Sequence, residues 1–293
     1  MKAMKNKDFA IFILTHGRAD RVFTYDTLMG VNYQGDVYFI VDDEDDQLED
    51  YQEKFGKDRV KVFSKDEIAK EFDLMDNFKD KRAVVYARNA CFDIAEEIGV
   101  TYFMMLDDDY TDFSYRYDRD LDFIYHKIKN IEPVLDCLID FYKKVDFNSV
   151  AIAQAGDFIG GDNGFAHSHT RIRKCMNTFI CSTERRFKFV GRINEDVNTY
   201  IKEAYQGGLF LTVPFVMVTQ TQTQANEGGL TDIYLNLGTY VKSFYPVIIN
   251  PSSVSIAPMG QNHKRLHHRI KGRKTYQKII SNEYATKKEE QQD

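Results

Sequence analysis

The sequence has few cysteines, and their spacing argues against a disulfide framework. The four cysteines lie far apart, form no Cys-X-X-Cys pair and stand mostly among apolar residues; they are Cys91, Cys137, Cys175 and Cys181. We therefore expect buried free thiols in a reducing, cytoplasmic environment.

Long apolar segments are also missing. No stretch approaches the ~20 apolar residues that are needed to cross a bilayer, so we expect no membrane span. Residues 1–7 are polar, and the apolar run Phe9–Leu14 is too short for the core of a signal peptide, so we expect none.

The chain lacks the basic excess of a nucleic-acid packaging protein, because its formal net charge is -6. The charges are unevenly spread. Acids concentrate at residues 42–46 and 107–122, and bases concentrate near the C-terminus. A length of 293 residues suits one large domain, or one domain with a C-terminal extension.

The most informative stretch is a short apolar run that ends in three consecutive acids. Residues 102–106 read as a strand buried on both faces, and Asp107, Asp108 and Asp109 follow directly. Because side chains alternate along a strand, we expect Asp107 and Asp109 to point the same way and Asp108 to point opposite. Two adjacent carboxylates favour a hard cation such as Mg²⁺ or Mn²⁺ carrying a diphosphate. The alternative is a solvated acidic turn.

A second polar cluster follows the apolar run Phe9–Leu14, which we predict to be the first strand. The next residues are Thr15, His16, Gly17 and Arg18. Gly17 allows a ligand to approach the backbone closely, and Arg18 offers a guanidinium group to a phosphate. Taken alone, this motif is more often an ordinary loop.

A third polar cluster follows a predicted strand at residues 37–41. Asp42 or Asp43 could accept a hydrogen bond from a ribose or a base, although acids at this position could also simply begin a helix. A third strand, Val60–Phe63, comes next. Such alternation of strands and helices over residues 9–110 predicts a Rossmann-like half with a parallel sheet.

An amphipathic helix is predicted over residues 81–98, directly before the acidic strand. Arg88 and Asn89 lie on its polar side, in its first half. The packing of this helix against the strand would bring both residues near the far end of the strand. They are candidates for contact with a phosphate or a sugar, while solvated surface residues are the alternative.

The second half of the chain departs from the alternating pattern. Residues 113–128 predict a hairpin, and residues 178–181 and 187–190 predict a pair of strands. Asn194 is expected to cap a helix that runs to about residue 205. Glu195 and Asp196 in its first turn are either dipole-stabilising acids or a general base facing the metal site.

The C-terminal segment is strongly basic. Residues 263–278 hold seven Lys or Arg and three His with no acids, which predicts a contact with a polyanion or, alternatively, a solvated basic helix. The candidate DNA-binding residues are Lys264, Arg265, Arg269, Lys271, Arg273 and Lys274. An imidazole from His263, His267 or His268 would suit Mn²⁺, and His263 is the first candidate.

Together these features resemble the GT-A glycosyltransferases. The resemblance covers most of residues 9–263 and rests on Asp107-Asp108-Asp109, on Arg88-Asn89, on the acids after the second strand, and on Asn194-Glu195-Asp196. More narrowly, Glu227-Gly-Gly-Leu230 with Tyr234 and Gly238, the compact length and the basic tail look like the TET-associated glycosyltransferases of phages.

The resemblance implies an α/β fold with a GT-A-like Rossmann-type central sheet flanked by helices and a mixed-sheet acceptor half. It implies a nucleotide-sugar-binding half at residues 1–110, an acceptor-binding and catalytic half at residues 111–262, and a basic tail at residues 263–293. The donor would be a UDP-sugar.

The resemblance also implies roles for individual residues. Mn²⁺ or Mg²⁺ would be held by Asp107, Asp109 and His263, and Asp196 or Glu195 would act as the base of an inverting transfer. The donor-binding residues would be Thr15, His16, Arg18, Asp42, Asp43, Arg88, Asn89 and Asp108. Because the motif has three acids, Asp108 could replace either neighbour.

For the phage group the implied acceptor is a hydroxymethylated pyrimidine, such as 5-hydroxymethylcytosine, in double-stranded DNA. The enzyme would then act in the cytoplasm of the host cell. The alternatives are a saccharide or protein acceptor on the same fold, a metal-dependent nucleotidyltransferase or nuclease, and a DNA-binding module without catalysis.

Overall fold

The computed structural model describes residues 6–159, 174–221, 238, 240–260 and 264–272. Its helices are α1 (Phe23–Gly30), α2 (Leu48–Phe55), α3 (Lys65–Ile68), α4 (Val85–Ile98), α5 (Glu132–Lys144), α6 (Glu195–Tyr205) and α7 (Tyr240–Ile249). Its strands are β1 (Phe9–Leu14), β2 (Asp36–Asp42), β3 (Val60–Phe63), β4 (Tyr102–Asp107), β5 (Tyr110–Tyr117), β6 (Phe123–Lys127), β7 (Ser149–Gln154), β8 (Phe179–Ser182), β9 (Phe210–Gln220), β10 (Val254–Met259) and β11 (Arg265–Ile270).

One sheet of nine strands forms the centre of the described structure, in the order β3-β2-β1-β4-β8-β7-β9-β5-β6. The first four strands are parallel to one another. Beyond β4 the sheet is mixed, because β8 runs antiparallel to both its neighbours while β7 and β9 are parallel. The predicted α/β fold, with a Rossmann-type parallel half and a mixed half, is confirmed.

Both faces of the sheet are buried, as the continuous apolar runs predicted. Ile11 and Ile13 belong to the core on one face, which α1, α2 and α5 cover. Ala10 and Phe12 belong to the core on the other face, which α3, α4 and α6 cover. This alternation fixes the strand register, since a slip by one residue would exchange the two faces. The polar residues after β1 and β4 are therefore held at the same edge of the sheet.

The structure confirms one predicted strand pair of the second half and corrects another. The hairpin predicted over residues 113–128 is confirmed as β5 and β6. Residues 187–190, by contrast, form no strand, because β8 already pairs with β4 on one side and β7 on the other. The backbone of Phe189 bonds to the side chain of Asn89 instead of to a strand. Asn89 Nδ2 donates to the carbonyl of Phe189 at 3.0 Å, and Asn89 Oδ1 accepts from the backbone N–H of Phe189 at 2.9 Å.

Two helix starts also differ from the prediction. The helix expected from residue 81 begins at Val85, after an irregular segment that follows α3. Asn194 does precede α6, but its side chain forms no cap; its Nδ2 donates instead to the carbonyl of Lys242 in α7. Asn194 therefore joins the start of α6 to α7.

The basic C-terminal segment does not begin as a helix. Arg265–Ile270 is strand β11, paired antiparallel with β10 in a separate two-stranded sheet. This hairpin packs on α7, where Ser243 Oγ donates to the carbonyl of Leu266 at 2.9 Å. The prediction of a solvated basic helix is wrong for these residues, because β11 has a partner strand and a helix to pack against.

The cysteine prediction is correct for three of the four thiols. Cys91, Cys175 and Cys181 are buried and Cys137 is exposed, and all four are free. Within the described ranges, no helix combines the length and apolar character that a membrane crossing requires.

Candidate functional site

A cavity of about 860 Å³ lies beyond the carboxyl ends of β1, β2 and β4. The first turn of α6 forms a further part of its wall, and α7 and β11 contribute residues from the C-terminal region. Ligands of open parallel sheets bind at this edge, because the loops that follow adjacent strands converge there. The polar clusters predicted after these three strands therefore share one cavity.

Asp108 also lines the cavity, but its carboxylate is bonded to residues at the end of β1. It is buried, its Oδ2 accepts from Thr15 Oγ1 at 2.8 Å, and its Oδ1 accepts from Arg18 Nη1 at 2.8 Å. The hydroxyl of Tyr51 completes this network, lying 2.8 Å from Thr15 Oγ1 and accepting from the backbone N–H of Arg18. Asp108 thus fixes the loop after β1 to the end of β4.

Asp107 and Asp109 line the cavity and are both only half-buried, in keeping with the predicted alternation. Burial raises the pKa of Asp107 to about 7; the charge of Asp109 acts in the same direction and that of Arg88 opposes it. Burial also raises the pKa of Asp109, against the hydrogen bond that its carboxylate accepts from Thr221 Oγ1 at 2.9 Å. The site therefore concentrates negative charge that its protein partners compensate only in part.

Arg88 joins the acids of β4 to those of α6. Its side chain is 1 % exposed, its Nη2 donates to Asp107 Oδ1 at 3.0 Å, and its Nε donates to Glu195 Oε1 at 2.9 Å. The ring of Phe179 packs against the guanidinium group, with its centroid 4.8 Å from Cζ. Sequence reasoning placed Arg88 on a polar helix face, whereas the structure buries it between two carboxylates.

Glu195 and Asp196 lie at the start of α6, and both are buried residues that line the cavity. Burial raises the pKa of each; for Glu195 the charge of Asp196 adds to this effect, while Arg88 opposes it. Asp196 Oδ1 accepts the N–H of Val197 at 2.7 Å. Since Arg88 already engages Glu195, Asp196 is the better placed of the two to accept a proton.

A second cluster of charged residues, separate from the acids of β4 and α6, surrounds the loop after β1. His16 Nδ1 lies 2.6 Å from Asp42 Oδ2 and 3.4 Å from Asp45 Oδ2. Lys65 Nζ lies 2.7 Å from Asp42 Oδ1, and the N–H of Gly17 donates to Asp45 Oδ2 at 2.8 Å. A positive φ of 63° at Gly17 gives this backbone group its direction.

This second cluster has its own electrostatics. Burial acts to raise the pKa of Asp42, but the hydrogen bonds from His16 and Lys65 outweigh it, so the pKa is lowered. The hydrogen bond to Asp42 raises the pKa of His16. His16, Asp42 and Asp45 are also the one group of three potential metal ligands found among the described residues. Because bonded donors already neutralise its acids, this cluster has less need of a cation than Asp107 and Asp109.

The other predicted site residues are distributed as follows. Asp43 is exposed and accepts from the backbone N–H of Lys65 at 3.1 Å, so Asp42 is the acid that faces the cavity. Asn89 is engaged by Phe189, as described above. His263, Arg273 and Lys274 lie outside the described residues.

The start of β11 reaches the cavity. Arg265, His267 and His268 line it, while Lys264 and Arg269 are exposed residues of the same hairpin. Burial, His267 and nearby lysines lower the pKa of His268 to about 4, so this imidazole is neutral at neutral pH.

Comparison with known proteins identifies the family. The model of the TET-associated glycosyltransferases matches residues 9–229 of the 293-residue chain. The chain belongs to this family. The family predicted from the sequence is therefore confirmed.

Solved structures similar to this TET-associated glycosyltransferase include GalNAc-T7 with UDP, GalNAc and Mn²⁺, at 13 % identity and a TM-score of 0.45 over 72 % of this chain and 43 % of that one. S. aureus TarS 1-349 matches at 12 % identity and a TM-score of 0.40, over 72 % of this chain and 60 % of that one. Glucosyl-3-phosphoglycerate synthase from Mycobacterium tuberculosis, in complex with Mn²⁺, UDP and phosphoglyceric acid, matches at 8 % identity and a TM-score of 0.46, over 89 % and 86 % of the two chains.

The chain thus spans about half the length of the first two of these structures. No curated protein matches it.

The residues of the candidate site that sequence reasoning missed include Tyr51, Lys65 and Lys242. Tyr51 and Lys65 bond to the loops after β1 and β2, and Lys242 of α7 lines the cavity. Lys65 stands in a Ser-Lys-Asp-Glu stretch that reads as a helix cap, and Tyr51 stands in the apolar stripe of α2. Neither pattern distinguishes a site residue from a structural one.

Proposed function

We propose that this TET-associated glycosyltransferase transfers a sugar from a UDP-sugar, with a divalent cation, to a hydroxymethylated pyrimidine base in double-stranded DNA. The observation that carries the proposal is the position of two half-buried carboxylates, Asp107 and Asp109, in the same cavity as the acid pair of α6. One pair suits a metal-bound diphosphate, and the other suits an acceptor hydroxyl.

The residues at the end of β4 fit a hard cation. Asp107 and Asp109 provide carboxylate oxygens, which Mg²⁺ and Mn²⁺ prefer. Burial raises the pKa of both acids, and the opposing effects of Arg88 on Asp107 and of the Thr221 hydrogen bond on Asp109 offset it only in part. Similar structures contain UDP with Mn²⁺ or Mg²⁺, which supports the same cofactor here. When bound, the cation would neutralise charge on the diphosphate as the sugar leaves.

The loops after β1 and β2 would bind the nucleoside of the donor. Asp42 faces the cavity with its carboxylate fixed by His16 and Lys65, so it is oriented to accept hydrogen bonds from a ribose or a base. Thr15 and Arg18 would act less directly, because both are bonded to Asp108 and hold the loop in place.

Asp196 would remove the proton from the acceptor hydroxyl as the oxygen attacks the sugar. Its raised pKa makes it a stronger base than an exposed aspartate, and the bond from Arg88 to Glu195 leaves Asp196 available for the acceptor. This role requires an inverting transfer, since a retaining transfer needs no such base. The acceptor is inferred from the TET association of the family and from the basic residues of β11.

A transfer assay tests this proposal. The protein is incubated with Mn²⁺, a panel of UDP-sugars and DNA carrying either 5-hydroxymethylcytosine or 5-hydroxymethyluracil, and the digested nucleosides are weighed by mass spectrometry. We expect a mass gain of one sugar that is lost with EDTA and with Asp196→Asn. Absence of any gain on either DNA would contradict the acceptor. Glycosylation of a saccharide or a protein instead would move the enzyme to the alternative acceptor class.

A further inference from the structure

Three cations from the second half of the chain line the cavity, and the proposed mechanism gives none of them an individual role. Lys174 precedes β8, Lys242 belongs to α7 and Arg265 begins β11, and all three line the cavity. We refer to these three residues as the cationic wall. None of them belongs to the parallel half of the sheet, so the wall lies on the side of the cavity that the second half of the chain builds.

Lys242 lies close to the acid pair, and the packing of β11 on α7 brings Arg265 to the same side of the cavity. The carbonyl of Lys242 accepts from Asn194, which directly precedes Glu195 and Asp196. The charge of Lys242 acts on Asp196, and the charges of Lys242 and Lys174 both act on His268. The cationic wall therefore adjoins the group that would receive the proton of the acceptor.

Arg265 differs from the cations of the parallel half in its available charge. Arg18, Lys65 and Arg88 each donate to a carboxylate at the ends of β2, β4 or α6, so their charge is already balanced. Lys174 has the carboxylate of Asp157, at 2.5 Å, as a partner. Arg265 is exposed at the rim and forms no ion pair within the part of the chain that the structure describes. This side of the cavity can thus accept an anion without breaking an existing ion pair of Arg265.

We infer that the cationic wall binds a phosphate, and that this phosphate is a phosphodiester of the acceptor strand next to the target base. The inference rests on the proposed function. A diphosphate of the donor has the same chemistry, but its expected position is at Asp107 and Asp109 with the cation. The wall adjoins Asp196 instead, where the acceptor hydroxyl must lie. A phosphate held there would fix the acceptor nucleotide at the distance that the reaction requires.

Steady-state kinetics of the double variant Lys242→Gln with Arg265→Gln test the inference. We expect KM for hydroxymethylated DNA to rise about tenfold, and the dependence of log KM on log salt to become shallower by about one unit per lost phosphate contact. KM for the UDP-sugar should stay within twofold of the wild type. Free 5-hydroxymethyl-2′-deoxycytidine carries no phosphate, so its KM should be the same in wild type and variant, whereas its kcat also reports the effect of the Lys242 charge on Asp196.

Matched variants separate charge from structure. Lys57→Gln removes one positive charge from an exposed residue that does not line the cavity, and it should leave KM for DNA unchanged. Lys242→Arg keeps the charge and, combined with Arg265→Lys, should restore most of the affinity for DNA. Thermal denaturation of each variant checks that the fold is intact.

The remaining outcomes contradict the inference in distinguishable ways. If KM for DNA stays within twofold of the wild type, the wall binds no acceptor phosphate. If KM for the UDP-sugar rises and KM for DNA does not, the wall binds the donor diphosphate. If the wild type itself transfers no sugar to DNA, the proposed function fails, and the assignment of the wall to an acceptor strand fails with it.

Discussion

Two groups of acids lie at the same edge of the sheet and have opposite electrostatic character. At the end of β2, Asp42 is bonded to His16 and Lys65, and its pKa is lowered. At the end of β4, Asp107 shares the single cation Arg88 with Glu195 and stands near Asp109, and its pKa is raised to about 7. Both groups follow buried parallel strands.

The difference shows that partners, rather than position in the fold, decide what an acid can do. The acids after β2 have their charge balanced by the protein, so they are suited to orient and accept hydrogen bonds. The acids after β4 keep unbalanced charge at a cost in stability, which a bound cation would recover. The sequence shows two similar runs of aspartates, and only the three-dimensional contacts separate them.

The largest expected effect comes from removing one unbalanced acid. Asp109→Asn keeps an oxygen for the hydrogen bond from Thr221, but it removes a charge from the proposed metal site. We expect kcat/KM to fall at least about 1,000-fold, because metal-ion stabilisation of a leaving diphosphate contributes several kcal/mol. Thermal stability without metal should be unchanged or higher, since a like-charge repulsion is lost.

Sugar-transfer kinetics, together with calorimetric titration of Mn²⁺, measure this effect. The exposed Asp20→Asn is the matched control and should match the wild type. Activity of Asp109→Asn within tenfold of the wild type would show that the two groups of acids do not differ in function.

The second effect concerns the cation that the acids of β4 and α6 share. Arg88→Gln leaves the buried Glu195 and the half-buried Asp107 without their cation, so we expect the free energy of unfolding to fall by about 3 kcal/mol. Denaturant titration measures it. Arg186→Gln, which removes ion pairs on the surface, should cost less than about 1 kcal/mol. Equal losses in the two variants would contradict the structural role assigned to Arg88.

The third effect comes from removing one acid of the cluster at the end of β2, where His16 and Lys65 balance the charge of Asp42. Asp42→Asn removes the nearer of the two carboxylates beside the buried Lys65 and should cost about 2 kcal/mol of stability. The pKa of His16 should fall, because the hydrogen bond to the Asp42 carboxylate is the main cause of its rise. Titration of the histidine resonances by NMR follows this change. A pKa of His16 that does not move in the variant would show that the acid and the imidazole are not coupled.

The smallest effect is a change of metal affinity and of stability with pH, and the change in stability has opposite signs for Asp107 and Asp42. A cation at the proposed site would bind the ionised form of Asp107, whose pKa is about 7, so the apparent Kd for Mn²⁺ should fall about tenfold from pH 6 to pH 8. Calorimetry at several pH values measures it. An affinity that does not change with pH would exclude Asp107 as a ligand that titrates in this range.

The free energy of unfolding without metal also depends on pH. The raised pKa of Asp107 stabilises the fold below the ordinary aspartate pKa, and this contribution is lost as the pH rises through about 7. The lowered pKa of Asp42 contributes stability above the ordinary value, and that contribution is lost as the pH falls.

Sequence reasoning predicted the parallel half well because its strands are continuous apolar runs that end in polar residues. The edge where Thr15, Asp42 and Asp107 meet follows from that pattern and from the rule that parallel strands share a carboxyl edge. The family could also be predicted, because its motifs lie at these strand ends.

The mixed half was harder to predict for physical reasons. Residues 187–190 have the composition of a strand, but whether a segment pairs depends on a free edge of the sheet, which is a property of the whole fold. The burial of Arg88 was missed because its charge placed it on a polar helix face, although two carboxylates distant in sequence provide its partners. The Lys242 side of the cavity is likewise assembled from segments far apart in the chain.

The position of Arg88 couples the acid of the proposed donor site to an acid of the proposed acceptor site. One guanidinium group bonds to Asp107 on β4 and to Glu195 on α6, so a positive charge added beside Asp107 also acts on Glu195. Under the proposed function, a divalent cation bound at Asp107 would therefore lower the proton affinity of Glu195 and Asp196, and by thermodynamic reciprocity the protonation of that pair would weaken the binding of the cation. Cation binding at the proposed donor side and proton uptake at the proposed acceptor side would then be linked through Arg88.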